Sequence, residues 1–186
     1  WGAFVTDNYQ TILPVPYTIR LGVKQMYQPS FTRELVIIGN EFGWEQALPL
    51  LRKKFATLLF RNSQEGILPE NTRRQHQFVR LSEGYEAHFS TNAKRLIKKS
   101  AKNYHFESQQ DLGILLDLFT RNVAHKIENM GEKELKNLHQ LIDNLSREKR
   151  GELLIGKDEN GEAVAAAYFM FDKNTVTYLK GAADEA

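Results

Sequence analysis

The chain has 186 residues, 41% of them hydrophobic and 26% charged, with a net charge of +2, so it holds material for one domain or two small lobes and carries no global pull toward nucleic acid. The absence of Cys excludes a disulfide scaffold, a thiolate nucleophile and Cys-ligated zinc, and suits a reducing cytoplasm. No apolar run approaches the ~20 residues that span a bilayer, and no signal peptide is visible.

In chain order, Trp1 to Thr6 is a short apolar run, and Asp7-Asn8 is turn chemistry. Tyr9 to Val15 is a second β-rich run, Ile19 to Leu21 continues it, and Gly22 breaks it. Val23 to Tyr27 reads as another strand, and Leu35 to Ile38 is an apolar run closed by Gly39. Hairpin-connected strands are the economical reading of this part. Trp44 to Phe60 carries helical spacing in Ala47, Leu48, Leu51, Phe55, Leu58 and Leu59, with Pro49 expected in the first turn. A polar stretch from Asn62 to Arg74 follows, with a short strand expected at Ile67-Leu68, and Gln77 to Leu81 alternates as a strand does.

The segment from Phe89 to Lys102 organises the rest. At about 100° per residue, Lys94, Lys98 and Lys102 form one row, Arg95 and Lys99 the row beside it, and Ala93, Leu96, Ile97 and Ala101 the opposite side. Ser90, Thr91 or Asn92 supplies an N-cap. Between Arg73 and Lys102 there are eight Lys/Arg against two Glu, so positive charge is concentrated here. Beyond it, Tyr104 to Glu107 is extended, and Asp111 to His125 and Glu132 to Lys149 are helices. Glu152 to Lys157, Ala163 to Phe171 and Thr175 to Lys180 form a meander whose first turn carries an Asn160-Gly161 signal. The chain starts at Trp1 and stops at Ala186 just past a predicted strand, and so reads as a fragment of a longer protein.

The candidate chemistry follows from these placements. Lys94, Arg95, Lys98, Lys99 and Lys102 have the spacing to lie along a polyanion or to hold the phosphates of a nucleotide-linked ligand, and equally that of a solvated helix face. Tyr27 and Gln28, at one strand end, and Tyr178 and Lys180, at another, are candidate groove residues or cross-strand packing residues. The five His show no metal-ligand spacing; His125 and His139 are candidate bases, though surface or helix-end positions are the reading that their placement favours. No metal site, catalytic residue, P-loop or dinucleotide fingerprint is assigned.

Phe89-Ser-Thr-Asn-Ala-Lys-Arg-Leu-Ile-Lys-Lys-Ser resembles the aromatic-Ser-x-Asn-x-(Lys/Arg)-Arg-x-Ile-(Lys/Arg)-Lys-Ala signature of bacterial Fem-like members of the GNAT acyltransferase superfamily. Tyr9-Gln-Thr-Ile-Leu-Pro-Val-Pro and Met26-Tyr-Gln-Pro-Ser-Phe resemble stretches those proteins carry upstream, and the meander from Glu152 to Lys180 is similar to theirs downstream. Leu96 stands where the family often has Asn, and Thr32-Arg-Glu-Leu-Val replaces a Gln-Gln-Leu-Gly pattern. The resemblance implies an α+β fold of two GNAT-like lobes with mixed or antiparallel sheets and flanking helices, 1–82 and 83–186, the second cut short at its C-terminus before the donor pocket. It implies a cytoplasmic transferase moving an acyl or aminoacyl group from acyl-CoA or aminoacyl-tRNA to an amine. A different class of reading is a non-catalytic RNA- or tRNA-binding module, in which the basic helix tracks phosphates and Tyr85, Phe89 and Tyr104 stack on bases.

Overall fold

The structure, a computed structural model, describes residues 1–62, 77–127 and 130–184. The chain is a mixed α+β protein that divides into two compact units, Trp1–Gln77 and Phe78–Ala186. The expected short strand at Ile67-Leu68 lies outside the described residues, as do Arg73, Arg74 and His76.

The first unit is built from two hairpins and one crossover. Strands β1 (Gly2–Val5) and β2 (Ile12–Val15) pair antiparallel. Strands β3 (Tyr17–Arg20) and β4 (Val23–Tyr27) form the second hairpin. Its two-residue turn, Leu21-Gly22, holds both residues at positive φ, 51° and 77°, the twist that a tight hairpin demands. Leu35 to Ile38 forms no strand of its own; Ile38 makes a single antiparallel bridge to Ile12, with the Ile12 N–H donating to the Ile38 carbonyl at 2.7 Å. Beside it Gly39 sits at φ 105°, where a Cβ would lie 2.1 Å from the Gln10 carbonyl oxygen, so a side chain is excluded by contact as well as by conformation.

The helical pattern expected over Trp44 to Phe60 splits in two. Helix α1 (Trp44–Lys54) ends at Phe55, and Thr57–Leu59 turns extended as β5, parallel to β4. The apolar residues Phe55 and Leu58 kept the helical period by coincidence, because parallel pairing requires an intervening crossover and α1 supplies it. Pro49, expected in the first turn, lies inside α1 instead. Its missing N–H leaves the Glu45 carbonyl without its helical donor. The face of α1 formed by Trp44, Ala47, Leu48 and Leu51 packs with Leu13, Val15, Met26, Leu35 and Phe55 into one buried cluster. Phe60 stacks on Trp44 with ring centroids 5.0 Å apart, which closes one side of that cluster.

The second unit opens with exposed, irregular chain. Gln77 to Leu81 does not form the expected strand: the alternation has no partner strand among the described residues, and Phe78, Val79 and Leu81 are exposed. A 3-10 turn over Tyr85–His88 leads to helix α2 (Thr91–Asn103), capped by the Ser90 Oγ accepting the Ala93 N–H at 3.2 Å. Strand β6 (His105–Gln109) follows, then α3 (Leu112–Asn122), capped by the Asp111 side chain, and α4 (Glu132–Arg147). Strands β7 (Gly151–Lys157), β8 (Ala163–Asp172) and β9 (Thr175–Ala183) complete an antiparallel sheet in the order β6-β7-β8-β9.

Helices α3 and α4 pack on one face of this sheet. Leu115, Leu118 and Phe119 of α3 and Leu138, Ile142 and Leu145 of α4 are buried, as are Leu153, Ile155, Ala166 and Tyr168 of the sheet. Tyr168 is wholly buried, and its hydroxyl lies 2.9 Å from Ser146 Oγ, so the ring packs without an orphaned polar atom. Leu154, between Leu153 and Ile155, points to the other face and is exposed.

Candidate functional site

Two places in the molecule gather chemistry, one in each unit. In the second, α2 displays Lys94, Arg95, Lys98, Lys99 and Lys102 in solvent, and no residue of the helix is buried. Lys94 Nζ donates to the Ala87 carbonyl at 3.1 Å and Arg95 Nη2 to Asn92 Oδ1 at 3.1 Å, both anchors within the local turn. Among the described residues no carboxylate forms an ion pair with any of the five. Thr91, Asn92 and Ser90 are the polar residues that begin the helix, and no acidic side chain occupies its first turn. The result is a run of ammonium and guanidinium groups with nothing local to neutralise it, which is the condition for holding phosphate.

The opposite side of α2 departs from expectation. Leu96 and Ile97, which the helical period assigns to a packed face, are 49% and 53% exposed. Of the apolar side only Ala93, together with Ser100, is partly buried, and Leu96, Ile97 and Ala101 are exposed. The helix therefore seats along a narrow line of small residues and leaves its two large aliphatic side chains on the flanks.

In the first unit a cleft of about 340 Å³ opens where the parallel strands β4 and β5 end. Gln28 is its brace. The Gln28 N–H donates to the Leu59 carbonyl at 2.8 Å, its Oε1 accepts the Arg61 N–H at 2.6 Å, and its Nε2 donates to the Thr32 carbonyl. Both ends of the amide are thus spent on tying the loop after β4 to the chain after β5. Phe31, at φ 65°, forms part of the rim, together with Leu59, Phe60 and Arg61. A bulky residue in the left-handed region is strained, and such strain persists only where the surroundings enforce it. The cleft thus has a mixed lining, apolar at Pro29, Phe31, Leu59 and Phe60 and otherwise polar, of a kind that can hold a small ligand. The carboxyl ends of parallel strands are a common place for such sites.

The four candidate groove residues fall at separate positions. Tyr27 closes β4 opposite Leu59 and is partly exposed; Gln28 lines the cleft. Tyr178 and Lys180 lie on β9 but on opposite faces. Tyr168 pairs with Lys180 and Phe169 with Tyr178, which leaves Leu179 as an extra residue, a bulge that reverses the alternation. Tyr178 packs edge to face on Phe169 at 5.8 Å, whereas Lys180 Nζ sits 4.9 Å from the centre of the Phe119 ring of α3. Burial holds the Lys180 ammonium below its ordinary value of 10.5.

The four described histidines do not gather. His88 closes the 3-10 turn, His105 lies on β6, His125 lies in a 3-10 turn after α3, and His139 is exposed on α4. Among the described residues no three His, Asp or Glu side chains are placed to hold a metal ion. Glu107 on β6 lies among three polar side chains. It accepts from Lys157 Nζ at 2.7 Å and from Gln109 Nε2 at 2.6 Å, with His105 Nε2 at 4.0 Å. The Lys157 hydrogen bond, followed by that from Gln109, holds its carboxyl below the usual 4.5.

Sequence reasoning missed Phe31, Phe60 and Arg61. The signal that would have found them is the Tyr27-Gln28-Pro29 strand end, once β5 is recognised as its parallel neighbour. No protein-family model matches the chain, and no curated protein matches it.

Proposed function

We propose that the chain is part of an N-acyltransferase of the Fem-like branch of the GNAT superfamily, and that α2 binds the phosphates of its donor or acceptor. The observation that carries this reading is the basic face of α2: five cations on one exposed helix, without a carboxylate partner among the described residues. Its sequence carries the Fem-like resemblance, and an antiparallel meander follows two helices later. In the reaction a neutral amine nitrogen attacks the donor carbonyl carbon, the bond to the thiolate or tRNA oxygen breaks, and the amine proton passes to a base. A backbone N–H stabilises the developing oxyanion. The cations of α2 take no part in bond making; they hold the phosphorylated end so that the reacting atoms meet.

The RNA-binding alternative uses the same cations but needs an aromatic platform. Tyr85 and Phe89 are turned edge to face on one another at 5.7 Å and are half-buried, which leaves Tyr104 as the exposed ring nearest the helix in sequence. That arrangement favours the enzyme.

The test is made on the protein at its full natural length, incubated with CoA thioesters and amines and followed by mass spectrometry. Transfer by the wild type is expected. Replacing Lys94, Arg95, Lys98 and Lys99 together by Gln should weaken donor or acceptor binding by at least about tenfold at low salt, because several charge-assisted contacts are lost at once. Affinity unchanged by the four substitutions would remove the role of α2. A steep salt dependence for RNA together with no binding of any CoA thioester would favour the alternative.

A further inference from the structure

We infer that the segment from Phe78 to Tyr104 is a docking surface for an anionic lipid bilayer, with α2 lying in the interface. The inference goes beyond the proposed activity and rests on the other side of the helix. Leu96 and Ile97 are each about half exposed, 49% and 53%, on a helix whose covered line is limited to Ala93 and Ser100. Upstream in the same unit, the irregular chain at Phe78, Val79 and Leu81 also leaves its apolar side chains in solvent, Phe78 at 87%. Tyr104, at the end of α2, is partly exposed as well.

A packed helix in water would cover such residues, and a helix that tracks nucleic acid has no use for them. A bilayer interface accepts both sides. Apolar side chains enter the boundary between headgroups and acyl chains, while basic side chains meet lipid phosphates. The wheel is suited to this. Lys99 lies beyond Leu96 on one flank, where its long stem can bend to the headgroup level, and Lys94, tied to the Ala87 carbonyl, bounds Ile97 and Ala101 on the other. Arg95, Lys98 and Lys102 add attraction at longer range. Charge complementarity selects the lipid: Phe78 to Tyr104 holds six Lys/Arg against two Glu, and the helix itself has no acidic residue. Among the described residues no helix is long and apolar enough to cross a membrane, so the mode is peripheral.

The experiment is co-sedimentation of the 186-residue chain with phosphatidylcholine vesicles containing about a third phosphatidylglycerol, beside vesicles of phosphatidylcholine alone. Binding to the anionic vesicles and little to the neutral ones is expected. The double variant Leu96→Ser/Ile97→Ser should bind the anionic vesicles at least about tenfold more weakly, since it removes apolar insertion and keeps every cation. Both residues are exposed, so the variant should keep its circular dichroism. As a second readout, Ile97→Trp should be quenched by lipids brominated along the acyl chain, beyond any quenching seen in the parent chain. Absence of anionic-vesicle binding overturns the proposal. So does binding that the double variant leaves unchanged, which would be adsorption by charge alone. Tight binding of tRNA that competes the chain off vesicles, with no quenching of Ile97→Trp, assigns the surface to nucleic acid instead. The cations are intact in these variants, so loss of vesicle binding leaves the phosphate-binding reading of α2 untouched.

Discussion

Tyr168 shows how closely single residues fix the second unit. Its hydroxyl shares a 2.9 Å hydrogen bond with Ser146, and its ring lies so close to Gly151 that a Cβ there would sit 2.4 Å from the hydroxyl oxygen. Tyr168→Phe should therefore cost about 1 kcal/mol, the net value of one hydrogen bond in a buried place. Gly151→Ala should cost more, about 1–3 kcal/mol, because a filled core resists an added methyl. Urea denaturation of both variants checks the order. Glu107 gives a pH signature. Its folded pKa is depressed, so its stabilising effect is complete above the unfolded value near 4.5 and is lost as pH falls through the lower folded value. Glu107→Gln should flatten that acid limb of a stability-against-pH curve; an unchanged limb would mean that the Lys157 contact carries no net stability. None of these close contacts was legible beforehand, since the sequence placed Tyr168 in a strand but did not say which helix residue would meet its hydroxyl.

Among the elements, those with a strong period and a cap were readable. The basic helix, expected at Phe89 to Lys102, forms at Thr91–Asn103 with Ser90 as its cap, and α3, α4 and the meander lie within a few residues of their expected ends. The errors have one physical cause: periodicity is local, whereas strands exist by pairing. Thr57–Leu59 continued the helical spacing of α1 yet pairs with β4, and Gln77 to Leu81 alternates yet meets no partner among the described residues. Leu179 is the smallest case. One unpaired residue in β9 sends Tyr178 and Lys180 to opposite faces, and nothing in a strand of alternating residues announces a bulge. Helix α2 has little packing of its own to stabilise it, so its cap matters more than usual. Ser90→Ala should lower the stability of that helix by about 1 kcal/mol, visible as faster amide exchange over its first turn, while exchange in α4 stays the same.

For the whole molecule, each unit has its own buried cluster, Leu13 to Phe55 in the first and the α3, α4 and sheet residues in the second. Residues 78–186 expressed alone should therefore unfold in one cooperative step; a broad, non-cooperative transition would show that this core does not suffice. The composition exclusions and the concentration of positive charge were legible at this scale, because they need only counting. The cleft between the ends of β4 and β5 was not, because it depends on a parallel pair that the helical pattern hid. The role proposed for α2 is to present its cations to a phosphorylated ligand. The most direct measurement is an NMR titration of the backbone amides with CoA at low and at high salt. The account predicts shifts concentrated between Lys94 and Lys102 that shrink as salt rises. Shifts confined to other elements, or none at all at low salt, would contradict it.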